Sequence, residues 1–174
     1  AIQNCKKIIS HNPKLTEAIS LQLQVNSRFI FKNIITPEDR FTFTICNPPF
    51  HSSSEEATKS SIRKVTNLDS KASKAAKPVL NFGGHNAELW CEGGELSFIQ
   101  NMIKESQAFS SRCFWFTSLV SKASNLPAIK AALKQAKVQA SKTIDMQQGQ
   151  KQSRFVAWTF LNPTQQAAWA KLRW

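Results

Sequence analysis

The chain has 174 residues, 41% of them hydrophobic, enough for one domain with its own core and too few for two. No run of about eighteen apolar residues occurs, which excludes a membrane-spanning helix. The 23 Lys and Arg against 11 Asp and Glu leave a net charge of +12, which suits a polyanionic partner, nucleic acid being the commonest.

Taken in chain order, AIQNCKKIISHNP has no start Met and no long apolar segment, so it reads as the middle of something longer rather than as a signal peptide. Ile2 to Ser10 is expected to end an amphipathic helix stopped near Asn12-Pro13. Ala18 to Gln24 (AISLQLQ) alternates as a half-buried strand does. Asn33 to Asp39 is a connection containing Pro37, and Phe41 to Cys46 is a second strand. Asn47 to Gly94 is a long irregular segment, a length usually functional or disordered. Order returns at Glu95, where Leu96, Ile99, Met102 and Ile103 recur at helical spacing through Ser106.

Arg112 to Val120 (RCFWFTSLV) reads as a strand covered on both faces. Pro127 suits a first helical turn, so Ala128 to Ala136 is expected as a helix. Val138 to Ile144 and Ser153 to Leu161 read as two last strands, returning through the polar turn QQGQKQ (Gln147 to Gln152), and Asn162 to Trp174 as a short helix. The order predicts the second half of a doubly wound α/β sheet, in which ligands sit off the carboxyl ends of the strands. The four cysteines (Cys5, Cys46, Cys91, Cys113) are scattered, without CxxC spacing, and read as reduced core thiols; no metal site is expected.

Two features carry chemistry. The first is Asn47-Pro48-Pro49-Phe50, which ends a strand on an amide, two rigid prolines and an aromatic ring. This suits methyl transfer to an sp2 amino nitrogen, whose lone pair is delocalised and attacks poorly. The Asn47 side-chain oxygen and the Pro48 carbonyl can accept its two N–H hydrogens, and the prolines hold that carbonyl in place. Phe50 offers a face for an extruded base, worth roughly 1–3 kcal/mol. Catalysis would be positioning and aimed dipoles, with no strong general base.

The second feature is the basic window Ala57 to Lys77, with Lys59, Arg63, Lys64, Lys71, Lys74 and Lys77 against the single acid Asp69. By itself it reads as a solvated loop. Behind the tetrapeptide it reads as an RNA-binding surface.

The stretches IFKNIITPEDRFTFTICNPPFHSSSEEA, SSIRKVTNL, NFGGHNAELWCEGGELSFIQNMIKES, FWFTSLVSKASNLP and GQKQSRFVAWTF together closely resemble the bacterial RlmF family. Those enzymes are S-adenosylmethionine-dependent and methylate N6 of one adenine in 23S ribosomal RNA. Eukaryotic relatives that methylate a spliceosomal small nuclear RNA are similar through the same NPPF and AELWCEGGE blocks. The resemblance implies a Rossmann-like class I methyltransferase sheet, with Asn47 to Phe50 as the catalytic tetrapeptide and Asn47 also near the cofactor. It implies that the loop at about 51–82 lies near the RNA, that Ala87 to Glu95 helps close the site, and that Lys151 and Arg154, in the family's GQKQSR turn, lie on the substrate side. Glu88, Glu92 and Glu95 are expected to cap and to hydrogen-bond loops, and His51 and His85 to make loop polar contacts.

The class binds its cofactor with a Gly-rich turn after the first strand and an acid after the second, and neither is found here. Residues 1–174 are therefore expected to be the C-terminal part of a methyltransferase domain, with the first two strands and the cofactor turn absent, and to bind S-adenosylmethionine poorly alone. The expected partner is 23S ribosomal RNA or a large-subunit assembly particle in the cytoplasm. Alternatives are a basic RNA-binding fragment without activity, a glutamine-N5 protein methyltransferase and a DNA adenine methyltransferase.

Overall fold

The computed structural model describes residues 2–56, 89–148 and 151–173. Four strands form one mixed sheet: β1 (Phe41–Phe43), β2 (Cys113–Val120), β3 (Ala140–Gln148) and β4 (Lys151–Thr159), in the order β1-β2-β4-β3. β1 pairs parallel to β2, with Phe43 opposite Trp115, whereas β4 runs antiparallel to both β2 and β3. The parallel pairing outlasts β1, because Thr44 N–H donates to the Trp115 carbonyl and Leu119 N–H to the Cys46 carbonyl. That continuation brings the chain to Asn47 at the carboxyl rim.

Five helices accompany the sheet among the described residues: α1 (Ile2–Ser10), α2 (Pro13–Thr16), α3 (Gly94–Ser106), α4 (Leu126–Gln135) and α5 (Pro163–Arg173). Pro13, Pro127 and Pro163 each stand in a first turn, where a missing N–H costs nothing. The 3.6-residue spacing of α3 buries Ile99, Met102 and Ile103, and Ile129 and Leu133 of α4 join them.

The facing strand residues Phe116, Ser118 and Val120 lie opposite Trp158, Val156 and Arg154, all buried. Phe116 stacks on Trp158 at 5.9 Å and meets Phe31 edge-on at 5.4 Å. The buried Trp158 indole donates to Ser106 Oγ at 3.0 Å, so the largest core side chain leaves no orphaned donor. On the other face of the sheet, Phe43, Ile45 and Ile144 are exposed.

Three expectations need correction. Ala18 to Gln24 forms no strand; Ile19 and Leu23 are exposed, and the segment leads into side-chain-stabilised turns at Asn26 and Arg28. Alternation marks a half-buried surface, but a strand needs a partner, and none of the described residues pairs there. The third strand begins at Ala140 rather than Val138, because Lys137 takes a left-handed conformation (φ 55°) as α4 ends. The QQGQKQ turn is shorter than expected: Gln147 pairs with Gln152 and Gln148 with Lys151, so only residues 149–150 connect the strands. Such short connections are the commonest in hairpins.

Glu95 fixes where α3 begins. Its carboxylate, 2% exposed, accepts the Ser121 N–H at 2.6 Å, the Lys122 N–H at 3.3 Å and the Asn125 amide at 2.7 Å. Glu95→Ala would leave two backbone N–H groups and an amide unpaired, so a loss of about 2–4 kcal/mol is expected. It should appear in urea denaturation as a lower midpoint with an unchanged slope.

Candidate active site

The tetrapeptide stands at the rim of the sheet. Asn47 is exposed, Pro48 is fully buried, and Pro49 and Phe50 are half-buried. Immediately after it, His51 N–H donates to the Leu89 carbonyl and Cys91 N–H to the His51 carbonyl, forming a parallel bridge between His51 and Trp90. The described part of the AELWCEGGE stretch therefore lies hydrogen-bonded beside the NPPF stretch.

The glycine pair turns the chain from this bridge into α3 through two left-handed residues. Gly94 has φ 63°, and a side-chain carbon there would come within 3.4 Å of the Ser52 backbone nitrogen. At Gly93, φ 75°, the same atom would collide with Ser97 at 2.5 Å. Beyond His51, Glu56 accepts both the N–H and the hydroxyl of Ser52, and these bonds hold its carboxyl below the usual range.

A cleft of about 680 Å³ opens in front of Asn47 and Pro49, within the usual size of a small-molecule site. Ser27, Arg28 and Ile30 also line it, with Trp90, Cys91 and Glu92, and α3 contributes Phe98 and Asn101. Phe50 is not among the described lining residues. The Ser27–Ile30 wall and the α3 residues escaped the sequence reading, since nothing local distinguishes NSRFI from an ordinary connection.

The remaining expected residues divide. Lys59, Arg63, Lys64, Lys71, Lys74 and Lys77, with Gly83, Gly84, His85, Ala87 and Glu88, lie outside the described residues. Lys151 stands at the start of β4. Arg154 is not an open surface cation: it is 8% exposed, its Nε lies 3.8 Å from Asp145, and its Nη1 has no hydrogen-bond partner among the described residues. Glu92 is exposed in the cleft wall, while Glu95 bonds the loop after β2, as a loop-bonding role requires. Among the described residues no cluster of three His, Cys, Asp or Glu could hold a metal ion, and no helix is long and apolar enough to cross a membrane.

A family model described as RNA methyltransferase (Methyltransf_10) matches residues 1–162. The chain belongs to this family. Ribosomal RNA large subunit methyltransferase F of Flavobacterium johnsoniae is 60% identical over 97% of the chain, and that of Yersinia enterocolitica 52% over 100%. The chain spans about half the length of these relatives, 54% and 52%. Among solved structures, the human METTL16 catalytic domain in complex with a MAT2A 3′UTR hairpin superposes with a TM-score of 0.71 at 22% identity, over 93% of this chain and 53% of that one. The N-terminal domain of human METTL16 in complex with SAH gives 0.63 at 21% identity, over 92% of this chain and 48% of that one. These likenesses establish the fold: a Rossmann-like methyltransferase sheet, of which four strands lie among the described residues.

Cys46, next to Asn47, carries no reactive thiolate. Burial pushes its thiol up to about 11 despite a Ser118 hydrogen bond, and burial pushes Cys113 up to about 12. At pH 8 an alkylating reagent is expected to modify exposed Cys5 at least tenfold faster than Cys46 or Cys113, as peptide mapping after timed quenching would show.

Proposed function

We propose that this chain is the C-terminal part of a methyltransferase domain that transfers a methyl group from S-adenosylmethionine to N6 of an adenine in 23S ribosomal RNA. The observation that carries the reading is Asn47, exposed beside a nucleoside-sized cleft at the end of β1 and followed by the buried Pro48.

The cleft fits one end of such a donor: Ile30, Phe98 and Trp90 give it apolar walls for a purine, and Ser27 and Asn101 give it polar groups. The Gly-rich turn for the other end is not in this sequence, whose five glycines are Gly83, Gly84, Gly93, Gly94 and Gly149. The relatives' greater length, with the exposed Phe43 and Ile45 on and just after the edge strand β1, supports a longer domain whose further strands pair there. The 60% identity to an enzyme named for large-subunit ribosomal RNA favours that substrate, with the cytoplasm as the compartment.

The bound donor supplies an electrophilic methyl group on a sulfonium. The protein's part is to hold the amine. The Asn47 amide oxygen and the Pro48 carbonyl accept its two hydrogens, which turns the nitrogen lone pair out of the ring, and Pro48 and Pro49 keep that carbonyl from rotating away. Asn47 also borders the donor. Phe50, half-buried beside the rim, would stack the extruded base from outside the described cleft lining.

The basic loop at about 51–82 and the turn carrying Lys151 would take the phosphates. Arg154, being buried, would act from beneath that turn. A protein that only bound RNA would need none of the Asn47 geometry.

In a protein of the relatives' full length, Asn47→Ala is expected to lower kcat by about 10²–10³ with RNA affinity unchanged within about twofold. Single-turnover methylation and filter binding measure the two separately, and equal loss of both would make Asn47 structural. Replacing Lys59, Arg63, Lys64 and Lys71 with Gln should reduce the slope of log affinity against log salt by about 2–3 for a single-stranded substrate.

A further inference from the structure

A carboxylate outside the cleft lining holds one of the segments that shape it. Glu105, near the C-terminal end of α3, accepts the Ile30 N–H at 2.8 Å through Oε2 and the Phe31 and Lys32 N–H groups at 2.9 and 2.7 Å through Oε1. Three consecutive backbone donors converging on one carboxylate form an anion nest, and charge-assisted bonds of this kind are about twice as strong as neutral ones.

The middle residue, Phe31, is buried against Phe109 and Phe116, so the segment is anchored from its core side as well. Ile30, the first of the three, lines the cleft and follows Ser27 and Arg28 in the same wall. One turn back along α3 from Glu105, Asn101 also lines the cleft. The helix that bears the clamp therefore also supplies part of the cleft it shapes.

We propose that Glu105 is a positioning residue: by gripping the amides of residues 30–32 it sets the distance between the Ser27–Ile30 wall and Asn47–Pro49, and thereby seats an adenosine in the cleft. This rests on the methyltransferase reading, in which both the methyl donor and the target carry an adenosine. The carboxylate touches no reacting atom. Its effect reaches the ligand through the backbone it holds, so loosening it weakens binding rather than the chemical step.

Glu105→Gln keeps the side chain's shape but removes the charge and turns one acceptor into a donor facing backbone N–H groups. Two readouts test the proposal. Amide hydrogen exchange on the full-length protein should show faster exchange at residues 30–32 with the β2 and β4 amides unchanged. Steady-state methylation by the full-length protein should show the KM for one adenosine-bearing ligand raised about tenfold, with kcat within about twofold of the parent.

A rise in the KM for S-adenosylmethionine assigns the cleft to the donor, and a rise in the KM for RNA assigns it to the target base; either supports the proposal. Local exchange that does not change overturns the clamp itself, whatever the enzyme does. Faster exchange with both KM values unchanged makes Glu105 merely structural and overturns the positioning role. Absence of methylation by the parent protein counts against the proposed function and the positioning role together, while the exchange result still judges the clamp. Should E105Q not fold, Glu105→Asp, which keeps the charge one methylene short of the amides, carries the same two measurements.

Discussion

The structure turns on one requirement: a carboxylate withdrawn from water must be met by donors. Helix α3 carries a carboxylate near each end, Glu95 buried and Glu105 half-buried. Glu95 is met by two backbone N–H groups and an amide of the loop after β2, and Glu105 by three backbone N–H groups of the segment before β1. Leaving Glu95 unmet would cost several kcal/mol, and Glu105 adds three charge-assisted bonds, so each loop is held by its carboxylate. Because α3 also packs Ile99, Met102 and Ile103 beneath the sheet, both loops are referenced to the core.

The sheet was legible where burial itself writes the pattern. RCFWFTSLV is apolar almost without interruption because β2 has neighbours on both edges, and its alternate residues Phe116, Ser118 and Val120 face the helices. SRFVAWTFL carries the same signal for the same reason. AISLQLQ carries an alternation just as regular and forms no strand, since hydrogen-bonded pairing is decided by a neighbour that the segment itself cannot specify. The hairpin was misread in the opposite sense: polar Gln147, Gln148 and Gln152 looked like a turn, yet they are paired, because exposed hairpin ends select for ladder bonds rather than apolar side chains.

The site was legible in proportion to how local its chemistry is. Asn47 to Phe50 could be read from four neighbouring residues, because an amide, a fixed carbonyl and an aromatic ring imply what they can hold. The Ser27–Ile30 wall could not. Its shape depends on Glu105, separated from residues 30–32 by 73–75 positions, and no periodicity or spacing records a carboxylate that bonds to backbone at such a distance. Arg154 shows what a turn motif leaves out. The family's GQKQSR turn implied a place on the substrate side, and the strand's alternation turns the residue to the buried face opposite Val120.

What surrounds Asn47 also limits the chemistry the rim can perform. Cys46 precedes it, but burial holds that thiol protonated far above neutral pH; Cys91, in the cleft wall, is shifted in the same direction by burial. Neither offers a thiolate nucleophile. His51 leans toward Glu56 at 3.9 Å, and Glu56 is already engaged by Ser52, so this pair is turned to the local turn. Among the described lining residues, the one carboxylate is the exposed Glu92. Among its described residues the site offers acceptors, apolar faces and the Arg28 guanidinium, and neither neighbouring cysteine as a thiolate. That is the inventory suited to an amine made reactive by the orientation of its lone pair, whose proton is lost to water once the new bond has made it acidic.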